Sequence, residues 1–259
     1  MSVINFTQEN GIATIKLNRP KAYNSVNKAL GEEWIATLDQ CAENQEIRVV
    51  IITGEGKAFC AGQDLKEIVQ PEKDFKFSNL LEERYTPIVE KILSLEKPVI
   101  AAVNGVAAGA GANLALACDI IIASEKASFI QAFSGIGLIP DSGGTYFLPR
   151  LVGRARAMAY AMLGDKISAE KAEEIGMIYR AVPAEEFEGE IEKLAQKMAQ
   201  MPTRALGLTK KAINASMGNT FETHMPYENA LQLEASATED YQEGVIAFVE
   251  KRQPVFKGK

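Results

Sequence analysis

Three apolar segments of this chain are each followed by a glycine-rich turn and then by a helical pattern, and this recurrence limits the folds that the chain can adopt. The segments begin near Val49, Val99 and Phe129. Continuous β-branched runs that alternate with helices are typical of parallel strands buried on both faces. The sequence therefore predicts an α/β fold, in which the segments repeat a structure without repeating a sequence.

The most distinctive of the three turns is residues 104–113, Asn-Gly-Val-Ala-Ala-Gly-Ala-Gly-Ala-Asn. It follows an apolar strand pattern at residues 98–103 and leads into a helix. Glycine and alanine leave the backbone N–H groups uncovered at the positive end of that helix, where a ligand oxygen can approach them. Close packing of helix on sheet accounts for the same composition, so the turn alone leaves both interpretations open.

A second turn, residues 58–65 (Ala-Phe-Cys-Ala-Gly-Gln-Asp-Leu), has the same order of strand, small residues and helix start. Two such turns side by side can direct two backbone N–H groups at one point. That arrangement stabilises the oxyanion that develops on a carbonyl during acyl chemistry. The two turns together are therefore a candidate oxyanion hole.

Asp141 is the strongest acid–base candidate in the chain. It precedes Ser-Gly-Gly at the start of a helical pattern, where an aspartate commonly caps the helix. Alternatively, it lies in an apolar environment, where burial would raise its pKa and make it useful for proton transfer. The apolar residues of that environment are Phe133, Ile136, Leu138 and Ile139. Both interpretations hold only if the carboxylate is free of the helix amides.

Composition argues against several functional classes. The 259 residues carry a net charge of −6, which gives no basis for binding nucleic acid or an anionic membrane. Three separated cysteines and one histidine, His224, argue against a disulfide framework, a metal site and a histidine-dependent triad. The N-terminal residues lack signal-peptide features, and no apolar run reaches roughly 18 residues. We therefore expect a soluble, cytoplasmic protein without a membrane segment.

Further elements follow from the same periodicities. Residues 12–17 alternate as a strand, Asn27 is a helix-cap candidate, and residues 80–95 have a helical apolar face. Residues 71–77 are charged and aromatic, and we expect a mobile loop there. The chain becomes mainly helical beyond about Gly164, with expected helices at residues 169–175, 186–201, 203–216, 220–236 and 239–251. We divide the chain into a core, residues 1–200, and a helical oligomerisation region, residues 201–259.

Several motifs together resemble the crotonase family, also called the enoyl-CoA hydratase/isomerase superfamily. They are Leu-Asn-Arg-Pro at 17–20, Ile-Ile-Thr-Gly at 51–54, Phe-Cys-Ala-Gly-Gln-Asp-Leu at 59–65, Lys-Pro-Val-Ile-Ala-Ala-Val-Asn-Gly at 97–105, Cys-Asp-Ile at 118–120 and Gly-Leu-Ile-Pro at 137–140. The resemblance spans nearly the whole chain. It implies an α/β crotonase (ClpP-like) spiral of ββα units with a C-terminal helical trimerisation region. It also implies acyl-CoA thioester substrates.

The resemblance also implies roles for particular residues. The oxyanion hole would consist of the backbone N–H groups of Ala61 and Ala110. Hydratases of the family hold a water molecule between two glutamates, and the matching positions here are Asn113 and Phe133, neither of which can activate water. Asp141 stands where those hydratases typically carry glycine and where family isomerases carry an acid.

The resemblance therefore implies a catalytic group and a substrate-contacting group of residues. The catalytic residues are Asp141, Ala61 and Ala110, and the residues that contact substrate or CoA are Ala22, Ala61, Gly62, Gln63, Asp64, Ala110, Asn113 and Phe133. Lys21 and Lys66 are further candidates near the CoA phosphates. Coenzyme A belongs to the substrate, so no separate cofactor and no metal are implied. The expected assembly is a homotrimer or a dimer of trimers.

Three hypotheses for the function follow. Ala-Ala-Gly-Ala-Gly-Ala at 107–112, Ala-Phe-Ser at 132–134 and Gly-Arg-Ala-Arg-Ala-Met at 153–158 are similar to motifs of family isomerases that act on ring epoxides in phenylacetate degradation. The leading hypothesis is an acyl-CoA isomerase in which Asp141 moves the proton. The alternatives are a 2-enoyl-CoA hydratase with a non-standard acid–base group and a non-catalytic acyl-CoA-binding subunit.

Overall fold

The strands form two sheets in a computed structural model that describes residues 2–69, 71 and 76–259. Most of the predicted loop at residues 71–77 lies outside the described residues. The larger sheet contains, in spatial order, β1 (Ile4–Glu9), β2 (Ile12–Leu17), β3 (Val49–Gly54), β5 (Val99–Val103), β7 (Ile120–Ser124) and β10 (Arg180–Val182). The smaller sheet contains β4 (Ala58–Cys60), β6 (Val106–Ala108), β8 (Ser128–Ile130) and β9 (Ile167–Ser168).

Each recurring segment of the sequence gives one strand to each sheet and then a helix. Strands β3, β5 and β7 are parallel neighbours in the larger sheet. Their successors β4, β6 and β8 are parallel neighbours in the smaller sheet. This arrangement is a spiral of ββα units, which confirms the predicted fold class.

Helices follow or connect the strands. They are α1 (Lys28–Glu43), α2 (Leu65–Val69), α3 (Phe77–Leu80), α4 (Thr86–Ser94), α5 (Ala110–Leu116), α6 (Gly144–Val152), α7 (Arg154–Leu163), α8 (Ala169–Glu174), α9 (Phe187–Ala199), α10 (Thr203–Ser216), α11 (Phe221–Ser236) and α12 (Glu239–Glu250). The predicted cap at Asn27 is confirmed, because its side chain accepts from the Leu30 N–H at 3.1 Å. A π-helical turn, Leu81–Tyr85, separates α3 from α4 within the predicted helix.

Both faces of the larger sheet are buried at its central strand β3. Val50 and Ile52 of β3 belong to the main core between the two sheets and helices α1, α4 and α5. Val49 and Ile51 point to the other face and pack with Phe187 and other residues of α9. This explains why β3 is a continuous β-branched run instead of an alternating pattern.

Helices α10, α11 and α12 follow the α/β core and are joined to it by polar contacts. The Lys210 ammonium of α10 pairs with the Asp119 carboxylate at 2.9 Å, and the Arg48 guanidinium donates to the Phe256 carbonyl at 2.9 Å. Several large apolar side chains of this region are exposed in the single chain, including Phe221, Phe248 and Val249. Among the described residues, no helix is both long and apolar enough to span a membrane.

The topology gathers three connections at one edge of the smaller sheet. Strands β4, β6 and β8 run parallel, so their carboxyl ends lie side by side. The segments that leave those ends lead into α2, α5 and α6. Ligands of parallel sheets bind at such carboxyl ends, where loops and helix N-termini meet. The two glycine-rich turns and Asp141 all lie on these connections.

Candidate active site

The two glycine-rich turns are in direct contact. Gly62 has a φ of +84°, and a Cβ atom there would lie 2.8 Å from the Ala108 carbonyl oxygen and 3.2 Å from the Ala110 nitrogen. A Cβ on Gly111 would lie 2.1 Å from the Cys60 carbonyl oxygen. Because only glycine allows this approach, the glycines of both motifs serve the close packing of the turns. The same packing brings the start of α5 beside the 61–64 turn.

The structure contradicts the choice of Ala61 as an oxyanion-hole donor. Its N–H already donates to the carbonyl oxygen of Tyr23 at 3.0 Å. Two further groups of this turn are also bonded internally, because the Gly62 carbonyl accepts from the Val26 N–H and the Asp64 N–H donates to the Val26 carbonyl. A hydrogen-bonded N–H cannot turn to a ligand without breaking an internal bond.

Gln63 and Ala110 have the available backbone N–H groups. Val26 bridges to the residues on either side of Gln63, so the Gln63 N–H points away from Val26. Among the described residues, no acceptor is found for the Gln63 N–H or for the Ala110 N–H at the first turn of α5. Within the 61–64 turn, the N–H without an internal acceptor is therefore that of Gln63, two residues after the predicted donor Ala61.

The side chain of Gln63 is held at both ends. Its Oε1 accepts from the buried Tyr85 hydroxyl at 2.9 Å, and its Nε2 donates to the Glu67 carboxylate at 2.7 Å. Glu67 in turn accepts from the Arg84 guanidinium at 2.7 Å. Tyr85 and Arg84 both come from the π-helical turn, a type of distortion that is frequent at functional sites. This network was not predicted, because nothing in the helical pattern of residues 80–95 marks a π turn.

Asp141 is half-buried on the connection between β8 and α6, and its carboxylate does not cap the helix. Burial raises the pKa of Asp141, while the Ser142 hydroxyl, which donates to Oδ1 at 2.8 Å, acts in the opposite direction. Its charge also contributes to the raised pKa of Tyr85, whose main cause is burial. The Asp141 carboxyl group therefore lies within electrostatic reach of Tyr85.

The predicted apolar environment of Asp141 is only partly correct. The Phe133 side chain is buried. Ile136, Leu138 and Ile139 are exposed in the single chain, with Ile139 78% exposed. This segment contains the 3₁₀ turn Ser134–Ile136, which has no buried residue. These three side chains do not account for the burial of the carboxyl group.

Asn113 and Phe133 are the two positions that the resemblance matches to glutamates of family hydratases. Asn113 is fully buried, accepts from Gln131 Nε2 at 2.7 Å and donates to the Asp141 carbonyl at 2.9 Å. The expected contact between Asn113 and substrate is therefore contradicted, because both ends of its amide are used inside the protein. Phe133 lies beside Gly109, where an added Cβ would be 3.8 Å from the ring.

The remaining predicted contact residues surround the 61–64 turn. Ala22 precedes Tyr23, whose carbonyl holds Ala61, so Ala22 lies close to this turn. Asp64 pairs with Arg19 at 2.8 Å and accepts from the Lys66 N–H at 3.1 Å, which occupies its carboxylate within the protein. The side chains of Lys21 and Lys66 are exposed and provide positive charge near the turn.

Cysteine nucleophiles do not contribute to this site. Cys60 ends β4 beside the turn, and burial raises the pKa of its thiol to about 12. Burial also raises the pKa of Cys41 to about 11. Thiols of this kind stay protonated at neutral pH and are weak nucleophiles.

Comparisons with known proteins agree with this geometry. Residues 7–259 match the model of the family described as enoyl-CoA hydratase/isomerase. The chain is 47% identical over 255 residues to the 1,2-epoxyphenylacetyl-CoA isomerase of Escherichia coli, covering 97% of each chain. It is 44% identical over 256 residues to a probable enoyl-CoA hydratase of Rhodobacter capsulatus, covering 99% of this chain and 98% of the relative.

A solved structure has the same fold. The enoyl-CoA hydratase of Bacillus anthracis superposes with a TM-score of 0.92 at 37% identity, covering 99% of this chain and all of the other. The family model, the two relatives and this structure cover almost the whole chain. The chain therefore belongs to the enoyl-CoA hydratase/isomerase family.

Proposed function

We propose that the protein is an acyl-CoA isomerase that acts through a thioester enolate. The observation that supports this most directly is the state of Asp141. Other carboxylates near the turns are paired with arginines, as Asp64 is with Arg19 and Glu67 with Arg84. Among the described residues, the side-chain partner of the Asp141 carboxylate is the Ser142 hydroxyl. A carboxyl group with a raised pKa and no cation suits proton transfer.

In the proposed mechanism, the thioester oxygen is bound by the backbone N–H groups of Gln63 and Ala110. The ionised Asp141 removes a proton from a carbon next to the thioester, and the negative charge moves to the thioester oxygen. The same carboxyl group returns the proton to another carbon of the conjugated system, which moves the double bond. The backbone donors stabilise the charge only as it develops, and donors of this kind contribute about 10²–10³-fold in rate.

Two features favour isomerisation over hydration. Hydration of an enoyl thioester requires a bound water molecule and groups that orient and activate it. Phe133 has no polar atom, and the Asn113 amide is used by Gln131 and by the Asp141 carbonyl. The positions that hold water in family hydratases therefore have no free polar group for it.

We propose a ring epoxide of a phenylacetyl-CoA thioester as one substrate and a 3-enoyl-CoA thioester as another. The relative from E. coli, named 1,2-epoxyphenylacetyl-CoA isomerase, supports the first. Both conversions, the epoxide to an oxepin-CoA and the shift of an enoyl double bond, need one carboxyl group beside a stabilised enolate. Neither adds water.

The test is the Asp141→Asn variant, assayed on epoxyphenylacetyl-CoA and on a 3-enoyl-CoA. General acid–base groups typically contribute about 10²–10⁴-fold, and we expect both rates to fall by this factor. Rates that stay within a few-fold of wild type would exclude Asp141 as the catalyst. A protein that binds these thioesters but converts none of them would support the non-catalytic subunit instead.

The second candidate function is a 2-enoyl-CoA hydratase that uses Asp141 with water bound in another way. The relative from R. capsulatus, named as a probable enoyl-CoA hydratase, favours it. Loss of the conjugated thioester absorbance of crotonyl-CoA measures hydration directly. We expect a rate far below the isomerase rate, and a comparable or faster one would favour the hydratase.

We also propose that the protein assembles as a homotrimer or as a dimer of trimers. The support is the exposed apolar surface of the helical C-terminal region, which includes Phe221, Leu233, Phe248 and Val249. Large apolar side chains left exposed in a single chain are covered when that surface is an interaction site. Light scattering coupled to size-exclusion chromatography gives the molecular mass, and a monomeric mass would exclude both assemblies.

A further inference from the structure

Asn113 connects helix α5 to the segment that carries Asp141. Its Nδ2 donates to the main-chain carbonyl of Asp141 at 2.9 Å, and its Oδ1 accepts from Gln131 Nε2 at 2.7 Å. A carbonyl oxygen can only accept, so the contact with Asp141 fixes which end of the amide is nitrogen. Asn113 has no exposed surface, and Gln131 is 1% exposed. The amide is therefore part of the protein interior and out of reach of a substrate.

Gly144 leaves the space that this contact needs. A Cβ atom at Gly144 would lie 2.2 Å from the Asn113 Nδ2 and 2.6 Å from its Cγ. The Gly144 N–H also donates to the Asp141 carbonyl, at 2.7 Å. One main-chain oxygen thus receives two hydrogen bonds, one from the start of α6 and one from α5.

The backbone after Asp141 is unusual and needs such support. Ser142 has a φ of +50° and Gly143 a φ of +82°. A non-glycine residue in this left-handed region persists only when its surroundings fix it. Side chains on irregular segments lose precision unless neighbouring groups hold them, and a misplacement of about 1 Å can cost about 10²-fold in rate.

We propose that Asn113 is a positioning residue, which fixes the Asp141 carboxyl group by holding its main-chain carbonyl, with Gln131 fixing Asn113. This inference rests on the proposed function of Asp141 as the proton carrier. It gives Asn113 a role at a position where family hydratases carry a glutamate that contacts water. In this protein the side chain at that position supports the proton carrier through its main-chain carbonyl.

The first variant is Asn113→Asp, which keeps the shape of the side chain but removes the donor to the Asp141 carbonyl. We expect kcat on a 3-enoyl-CoA to fall by about 10- to 100-fold. KM stays within about twofold, because Asn113 does not touch the substrate. The matched control is Asn214→Asp, which makes the same chemical change on an exposed position of α10 and leaves kcat unchanged.

A double-mutant cycle with Asp141→Asn separates positioning from a general loss of structure. If Asn113 acts through Asp141, adding Asn113→Asp to Asp141→Asn changes the residual kcat by less than about twofold. Multiplying effects would overturn this inference alone. A wild-type rate for Asp141→Asn alone would overturn the proposed function as well, so the two failures can be told apart.

A second variant covers the possibility that Asn113→Asp does not fold. Gly144→Ala places a methyl group in the space of the Asn113 amide without removing any polar atom. It is expected to lower kcat in the wild-type background and to have no further effect in the Asp141→Asn background. Circular dichroism establishes that each variant is folded before its kinetics are measured. A folded Gly144→Ala protein with wild-type kcat would overturn the proposal.

Discussion

Two aspartates with partly buried carboxyl groups are used in opposite ways in this protein. Asp119 lies between α5 and β7, and Asp141 lies between β8 and α6. Burial raises the pKa of both carboxyl groups. Asp119 accepts from the Lys210 ammonium at 2.9 Å and from the Val99 N–H at 2.7 Å. Asp141 accepts from the Ser142 hydroxyl.

The two residues differ in whether a cationic side chain is paired with the carboxylate. Lys210 comes from α10, so the ion pair with Asp119 joins the helical C-terminal region to the core. The Lys210 side chain is only 7% exposed, so its charge needs the Asp119 carboxylate to compensate for the loss of water. The Asp141 carboxyl group has no such partner among the described residues and can change its protonation state during a reaction. Burial alone therefore does not identify a catalytic carboxylate, whereas burial without a cation supports one.

The largest expected difference between the two aspartates is in how their replacement changes the free energy of unfolding. Asp119→Asn leaves the buried Lys210 ammonium without its carboxylate, and breaking a buried pair in this way costs about 3 kcal/mol. Urea denaturation followed by circular dichroism measures the loss. The isomerase rate per folded molecule should stay at the wild-type level, because Asp119 follows the C-terminal end of α5, whereas the glycine-rich turns meet at its N-terminal end. A stability loss below about 1 kcal/mol would contradict the structural role of the pair.

Asp141→Asn is expected to leave stability unchanged or to raise it, in contrast to the destabilising Asp119→Asn. Because the pKa of Asp141 is raised in the folded protein, the ionised form is less favourable there than in the unfolded chain. The penalty is absent below the unfolded carboxyl pKa, roughly 3.9, and develops as the pH rises through the folded pKa. The uncharged variant should therefore have an equal or higher urea midpoint at neutral pH, and this advantage should vanish towards pH 4.

The control for this prediction is the Asp119→Asn protein under the same conditions. If Asp141→Asn lowers the midpoint at neutral pH as much as Asp119→Asn does, the two aspartates are both structural. The contrast between them would then be lost.

Ser142→Ala is expected to have the smallest effect. The Ser142 hydroxyl donates to the Asp141 carboxylate and lowers its pKa against the effect of burial. Without this donor the ionised form is less stable, so the acidic limb of the kcat/KM profile moves to higher pH. One hydrogen bond to a charged, half-buried group changes the rate at neutral pH by less than about tenfold. A limb that stays in place or moves to lower pH would show that another group controls it.

Much of the fold could be predicted from local patterns. The three strand–turn–helix segments and most helices follow from periodicity, and Asn27 caps α1 as expected. Strand β1 was missed, although Ile4–Glu9 pairs fully with β2 in an antiparallel hairpin. Its alternation is weak because the outer half of the strand is polar. The π-helical turn at Leu81–Tyr85 was also missed, because its apolar spacing fits an α-helix.

The candidate site was less accessible to sequence analysis. Asp141 and Ala110 follow from their motifs. The proposed donor at Gln63 depends on which N–H groups of one turn are already used, and the bonds of this turn to Tyr23 and Val26 decide this. The contacts from Asn113 to Asp141 and from Lys210 to Asp119 join residues 28 and 91 positions apart. No local pattern encodes such pairs.

The central claim is that Asp141 moves a proton without adding water to the substrate. The most direct measurement is the mass of the CoA products formed from a 3-enoyl-CoA in H₂¹⁸O by wild type and by Asp141→Asn. The account predicts that the wild-type product has the mass of its substrate and contains no ¹⁸O. It also predicts that the variant forms almost none of this product in the same time. A wild-type product that carries an ¹⁸O hydroxyl group, or an undiminished yield of isomer from Asp141→Asn, would contradict it.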